Sequence, residues 1–316
     1  MNITFEDIEE AHQRIAPHIH RTPILTSNSI NQIAGNEIYF KCENFQKIGA
    51  FKIRGGMNAS LTLSADKLKK GLATHSSGNH AQAIAFAARQ LGTKAYIVMP
   101  NNSAAVKVAA VKGYGAEITF CEPTQVARES TLQKVIEATG AEFIHPYDDY
   151  RVITGQATCA KEFIEDAGPF EVMMAPVGGG GLLSGTCLTT HYLLPDTIIY
   201  AAEPDGAADA VLSIKTGKVE KAAFVKTIAD GLQTTLSEKT LGIIKTYVKE
   251  ILLVSDEEIK AALQLVYERM KIVVETSSVV TLAAVLKNKK KFAGKKTGII
   301  LTGGNVDLVK FSEWFK

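Results

Sequence analysis

The sequence predicts an α/β protein: two open, twisted, mostly parallel sheets covered by helices, with a small domain inserted into a larger one. Three observations lead there. From about Lys70, β-prone runs alternate strictly with helix-periodic runs, the pattern of a parallel sheet with crossover helices. Glycine- or serine-rich turns follow several of the predicted strands, and ligands of such sheets bind at those strand ends. The chain has 316 residues, 46% of them hydrophobic, enough for roughly two packed domains on a length prior.

Thr4 and Asp7 read as an N-cap and an acidic first turn, opening a helix with Phe5, Ile8 and Ile15 on one side. Arg21-Thr22-Pro23 ends it, and residues 37–41 alternate as a strand. The Lys52 segment follows, and then a helix through about Leu63. Strand 72–74 leads through Ser76-Ser77-Gly78-Asn79-His80 into the alanine-rich helix 81–91. Strands 95–99, 117–120 and 142–144 alternate with helices 104–112 and 124–138. Beyond them come helix 154–167, strand 172–177, a glycine run, a helix to Leu194 and strand 197–202. Ser255 to Glu258 is a capping box for a helix ending near Met270. Strand 297–301 then runs into Thr302-Gly303-Gly304-Asn305. Residues 68–147 are expected to form the small mobile domain, and 1–67 with 148–316 the large one.

Composition excludes several function classes. A formal net charge of +2 gives no field for nucleic acid or an anionic membrane. The basic run 287–296 reads as a solvated loop before a strand. Cys42, Cys121, Cys159 and Cys187 are scattered, so neither a zinc site nor a disulfide framework is indicated. Free thiols fit a reducing, cytoplasmic compartment. The first residues lack the basic and apolar regions of an export signal, and the longest apolar stretch is too short to span a bilayer.

Four stretches carry candidate chemistry. Lys52 lies between Phe51 and Ile53. Burial lowers an amine's pKa, which Schiff-base chemistry with an aldehyde needs; the bland reading is a surface lysine at a turn, with Arg54 a solvated neighbour. Gly178, Gly179, Gly180 and Gly181 follow a strand and open a helix, a cradle for phosphate. No P-loop lysine follows, but Gly179-x-Gly181-x-x-Ser184 with Glu203 nearly matches the dinucleotide fingerprint. Taken alone, the run fits a nicotinamide enzyme about as well as a single-phosphate cofactor. The Ser76–His80 turn offers hydroxyls, an amide and helix-start N–H groups suited to a carboxylate; the bland reading makes Ser77 or Asn79 an ordinary N-cap. Thr302-Gly303-Gly304-Asn305 is a further strand-end turn. Any one turn fits structural need; four together point to one cleft.

In combination and order, these motifs resemble the fold type II pyridoxal-phosphate enzymes of the serine/threonine dehydratase and serine racemase group. Ala202-Glu203-Pro204, Thr227-Ile228-Ala229-Asp230-Gly231 and Glu268-Arg269-Met270-Lys271 extend the likeness over nearly the whole chain. The resemblance implies that the glycine run and the Leu182 N–H hold the phosphate of pyridoxal 5'-phosphate. It implies that Lys52 carries the cofactor and acts as base toward Cα. Phe51 packs on the ring, Asn79 bonds its 3-hydroxyl and Thr302 its ring nitrogen, where the group usually has serine. Ser76, Ser77, Asn79 and His80 grip the substrate carboxylate. Glu203, the Ala207 carbonyl and Asp209 match a Mg2+ or Mn2+ site.

Ser77 also matches the second proton carrier of racemising members, so dehydratase and racemase readings both stay open. Ala81, Tyr147 and Asn44-Phe45-Gln46 look like hydroxyaspartate-cleaving members. Arg128 is either an exposed helix residue, the simpler reading, or a further contact to substrate carboxylate. Ala157 in Gly155-Gln156-Ala157-Thr158 and Thr276 after Glu275 depart from the family pattern, at places that line the cleft or support the cofactor. The resemblance implies a homodimer acting on a small amino acid, with no appended domain for feedback by isoleucine. A nicotinamide oxidoreductase remains the reading from a different class.

Overall fold

The computed structural model describes residues 3–103 and 105–314. Met1, Asn2, Ala104 (the expected first residue of helix 104–112), Phe315 and Lys316 lie outside the described residues. Among the described residues ten strands form two sheets. The larger contains β1 (Ile24–Thr26), β2 (Glu37–Cys42), β7 (Val172–Pro176), β8 (Ile198–Pro204), β9 (Val248–Val254) and β10 (Lys296–Leu301), in the order β1-β2-β10-β7-β8-β9. Only β1 runs antiparallel, to β2; the rest pair in parallel. The smaller sheet, all parallel, has the order β5-β4-β3-β6, from β3 (Leu72–His75), β4 (Ala95–Pro100), β5 (Glu117–Cys121) and β6 (Glu142–Phe143).

Strand alternation divides the large sheet's side chains between two cores. Val172 and Met174 join Phe40, Ile299 and Leu301 on one face, under the Asp256–Met270 and Val280–Lys287 helices. Met173 and Ala175 point the other way, to Phe163 of the Tyr150–Ala167 helix and Leu183 of the Gly181–Leu193 helix. A sheet covered on both faces needs strands that are apolar throughout, as β7 is. A third core joins the small sheet to the Lys52–Leu61 helix through Ile53, Met57, Ile84 and Ile97. Gly56 of that helix approaches Ala83 so closely that an added Cβ would lie 3.3 Å from the alanine's methyl.

The N-cap of the Phe5–Ile15 helix is Thr4 in a capping box with Asp7, and Ser255 with Glu258 makes another. The sequence reading did not include β1, β9 or the helices Asn28–Ala34, Ala65–Lys70, Asp209–Thr216, Glu238–Tyr247, Val280–Lys287 and Leu308–Trp314. The basic run 287–296 is not simply a solvated loop. Lys289–Phe292 is a helical turn, and Phe292 is fully buried, edge-on to Tyr200 at 5.2 Å. Lys287 is tied to Glu258 at 3.0 Å and Lys291 to Glu250.

Candidate active site

The loops after β2, β3, β7 and β10 meet at the carboxyl ends of their strands and line one cavity of about 480 Å3. Phe51, Lys52, Ser76, Ser77, Asn79, His80, the four glycines 178–181, Leu182 and Thr302 all line it. So does Arg128, half-buried, its Nε buried without a hydrogen-bond partner among the described residues; the simple surface reading of that arginine is corrected. Glu203, Ala207 and Asp209 lie apart from this lining. Ala157 also lies outside it. It packs inside the Tyr150–Ala167 helix, where a Cβ on Gly185 would come within 2.6 Å of its nitrogen.

The Lys52 loop is pinned to the turn after β10. Phe51 N–H donates to the Thr302 carbonyl at 3.0 Å and Gly304 N–H to the Gly49 carbonyl at 2.9 Å. Ile48 sits at φ 60°, a strained place for a β-branched residue. Its carbonyl accepts from Asn305 Nδ2 at 2.8 Å. Behind the loop, Arg54 is fully buried rather than solvated. Its guanidinium forks to Glu43 at 2.7 and 2.9 Å and to Glu162 at 2.7 and 2.9 Å. Lys41 adds a 2.8 Å bond to Glu162. Two buried cations thus face two buried carboxylates, and the start of the Lys52–Leu61 helix is held from behind.

Lys52 Nζ donates to the Pro146 carbonyl at 2.9 Å and lies 5.1 Å from the Phe51 ring centroid. Burial lowers its pKa to about 8, the Glu275 carboxylate opposing only in part. His145, beside Pro146, accepts backbone N–H groups of Tyr147 and Asp148 at Nδ1, at 3.2 and 2.8 Å. Burial pulls its pKa down to about 4. The ring is therefore neutral, with its proton on Nε2.

The Ser76–His80 turn does not follow the ordinary capping pattern. The N-cap of the Asn79–Gln90 helix is Gly78, with no side-chain cap bond. Among the described residues the Ser77 hydroxyl has no hydrogen-bond partner, and it faces the cavity. Asn79 is oriented by two neighbours: its Nδ2 donates to Glu275 at 2.9 Å, and its Oδ1 accepts from Asn305 Nδ2 at 2.9 Å. The His80 ring is spent on the Ile144 carbonyl at 2.9 Å and held neutral by burial. What His80 offers a carboxylate is its N–H in the first helical turn.

The glycine loop fits a phosphate. None of the N–H groups of residues 178–182 has a backbone acceptor among the described residues. Gly180 turns at φ 86°, where other residues are strained. A Cβ on Gly179 would stand 2.2 Å from the Tyr147 ring, so only a glycine can bring this backbone to the cavity wall. Glu203 is not presented to a ribose, as the dinucleotide reading requires. Its carboxylate lies under the Asp209–Thr216 helix, accepting the Ala210 and Val211 N–H groups at 2.7 and 3.1 Å.

Several lining residues were not read as functional. Lys107, from the Ala105–Gly113 helix, pairs across the cavity with Asp230. Glu275, buried, has its pKa pushed up by burial and by Asp230. The Asp230 and Glu275 segments had marked themselves as family motifs; nothing in the periodicity of its helix marks Lys107. Thr276, the expected departure from the family pattern, donates to the Ile228 carbonyl at 2.7 Å, and Ser277 accepts the Gly231 N–H at 3.0 Å.

A lysine with a depressed pKa, facing an anion cradle in an α/β cleft, defines an enzyme site built for an aldehyde cofactor with a phosphate tail. Residues 15–303 match the family of pyridoxal-phosphate dependent enzymes. The chain is 49% identical to the beta-hydroxyaspartate dehydratase of Paracoccus denitrificans strain Pd 1222, over 97% of this chain and 98% of that one. It is 49% identical to the serine racemase of Dictyostelium discoideum, over 98% and 97%. The crystal structure of serine racemase from that organism superposes with a TM-score of 0.92 at 48% identity, covering 96% of this chain and 99% of the other. The protein belongs to the fold type II pyridoxal-phosphate enzymes of the serine/threonine dehydratase and serine racemase group. Among the described residues, no helix is long and apolar enough to cross a membrane.

Proposed function

We propose that this enzyme is an ammonia-lyase for β-hydroxy amino acids such as L-serine and L-threonine, giving 2-oxo acids, with serine racemase capacity. The observation that carries the reading is Lys52, its pKa lowered to about 8, in the same cavity as the Ser77 hydroxyl and the glycine cradle. When bound, pyridoxal phosphate supplies an aldehyde that captures amino groups and a ring that draws electron density from Cα. The N–H groups of residues 178–182 would hold its phosphate, Phe51 would pack against its ring, and Asn79 and Thr302 would bind its polar edge. The N–H groups and hydroxyls of the Ser76–His80 turn hold the substrate carboxylate. Lys52, partly deprotonated near neutrality, removes the Cα proton; Ser77 carries the second proton that inversion needs. Residues 68–147 form a small domain that closes over the cavity and excludes water.

Assays for pyruvate and 2-oxobutanoate, with Lys52→Ala as control, test the lyase. Undiminished turnover in that variant sinks the role given to Lys52. Chiral analysis of serine tests the racemase, which Ser77→Ala should abolish while sparing elimination from L-serine.

A second reading, hydroxyaspartate ammonia-lyase, is favoured by the buried, unpartnered Arg128 Nε in the cavity. A second substrate carboxylate supplies the charge-assisted partner this guanidinium lacks.

Glu203, the Ala207 carbonyl and Asp209 are suited to Mg2+ or Mn2+. Among the described residues Asp209 Oδ2 is buried without a hydrogen-bond partner, and hard oxygen donors suit such cations. Magnesium at a hundred times its Kd should stabilise chelator-treated protein by about 2.7 kcal/mol, a gain that Asp209→Asn removes. The four cysteines are free and buried, in keeping with a cytoplasmic enzyme, and a homodimer is the assembly to test by light scattering.

A further inference from the structure

The two sides of the cavity carry one charged tie. Among the described residues, the ion pairs Lys67–Glu142, Asp66–Lys69 and Arg151–Glu142 join residues 68–147 to the rest of the chain. All three lie beside the two places where the chain crosses between these parts. Lys107 and Asp230 alone pair across the cavity, 123 positions apart, and both line it. Each stands beside a different end of the site. Lys107 comes from the Ala105–Gly113 helix, and a Cβ on Gly78 would lie 3.9 Å from its Nζ. Its ammonium is therefore next to the Ser76–His80 turn, at the start of the Asn79–Gln90 helix. Asp230 opens a short turn that packs on the phosphate cradle: a Cβ on Gly178 would lie 3.0 Å from Leu232 Cα. The Lys107 side chain is 16% exposed and that of Asp230 50%. Burial alone would lower the lysine's pKa, but Asp230 outweighs it and raises it, with Glu275 and Asp307 adding to the effect. The cation is shielded while its partner reaches water. A half-exposed pair of this kind is weak, as a contact that forms and releases in each turnover has to be.

We propose that Lys107 and Asp230 are positioning residues whose ion pair clasps the Ser76–His80 turn against the glycine cradle while substrate is bound. This rests on the reading that residues 68–147 close over the cavity and that the turn holds the substrate carboxylate. An ammonium has three protons to donate, so Lys107 can hold Asp230 and face an arriving carboxylate together. The carboxylate then meets the cation fully placed only in the closed form. A ligand shifts a conformational equilibrium by as much as it prefers one state, and this preference couples binding to closure. The clasp also joins the substrate end of the site to its phosphate end, so that closing sets the distance between them.

The test is hydrogen exchange of the holoenzyme, read by mass spectrometry, with and without glycine at a concentration that saturates its shift of the cofactor absorbance. Glycine has the amine and carboxylate of a substrate but no β-hydroxyl to lose. In wild type it should slow exchange in residues 76–80 and in the Ala105–Gly113 helix. In Lys107→Met and in Asp230→Asn that protection should fall about fivefold, the scale of a partly exposed ion pair. KM for L-serine should rise by a similar factor, with kcat changed less. The double variant should be no worse than Lys107→Met alone, because the two substitutions break one contact. Wild-type protection and KM in both single variants overturn the clasp. Strictly additive losses in the double variant also overturn it, since they give each residue a separate role. Glycine that leaves wild-type exchange unchanged overturns instead the closure of residues 68–147, before any substitution is made.

Discussion

Lys52 donates to the Pro146 carbonyl at 2.9 Å, so its amine is held in the cavity by a partner that accepts a hydrogen bond but cannot take a proton. The Glu275 carboxylate attracts its charge, and burial still outweighs that attraction. An amine held this way stays available as base without being locked into an ion pair.

Lys52→Ala should lower turnover by at least ~1,000-fold, since it removes both the covalent anchor and a positioned base. The depressed pKa also predicts a pH effect in cofactor-free protein. Between about 8 and the ordinary lysine value of 10.5 the unfolded chain binds a proton that the native amine has released. Stability therefore rises with pH across that window. Urea denaturation at the two ends should show wild type gaining on Lys52→Met; parallel curves would contradict the shift.

Gly179→Ala puts a methyl group 2.2 Å from the Tyr147 ring. The ring must move or the loop must open, and the phosphate cradle loosens either way. Affinity for pyridoxal phosphate, read by fluorescence titration, should fall roughly tenfold or more, as overpacking typically costs 1–3 kcal/mol. Tyr147→Ala in the same chain should recover most of the loss. A strictly additive pair would show that the two residues do not press on one another.

Arg128→Ala should lower kcat/KM for hydroxyaspartate about 10- to 100-fold, the scale of a charge-assisted hydrogen bond. For serine, which has no second carboxylate, the change should stay within about threefold. Equal losses on both substrates would assign Arg128 to the shared α-carboxylate or to folding.

Most of the architecture was legible because a doubly covered parallel sheet writes itself as alternating apolar strands and periodic helices. The exceptions have physical reasons. β1 is three residues long and antiparallel at a sheet edge, and β9 is an edge strand whose outer residues Lys249 and Glu250 interrupt its apolar run. The site was legible where chemistry is local: Lys52 between apolar neighbours, four glycines in a row, a serine-rich turn. It was hidden where chemistry comes from distant segments. Lys107 meets Asp230 across 123 positions and Asn79 meets Glu275 across 196. Arg54 read as solvated because a charged residue usually is; only Glu43 and Glu162, contributed from elsewhere, make its burial tolerable.

That buried cluster yields the last prediction. Burial alone would raise the Glu162 pKa, but Arg54 and Lys41 overcome it and hold it at about 2. A carboxyl whose native pKa lies below its unfolded one adds stability that is present above about 4.5 and lost as the pH falls toward 2. The shift corresponds to about 3 kcal/mol at neutral pH. Glu162→Gln should cost more, about 3–5 kcal/mol, because Arg54 and Lys41 are left as buried cations without their shared partner. Its stability deficit against wild type should shrink steadily between pH 5 and 2, as wild type itself loses the charge. A deficit that stays constant over that range would mean that Glu162 acts through packing and not through its charge.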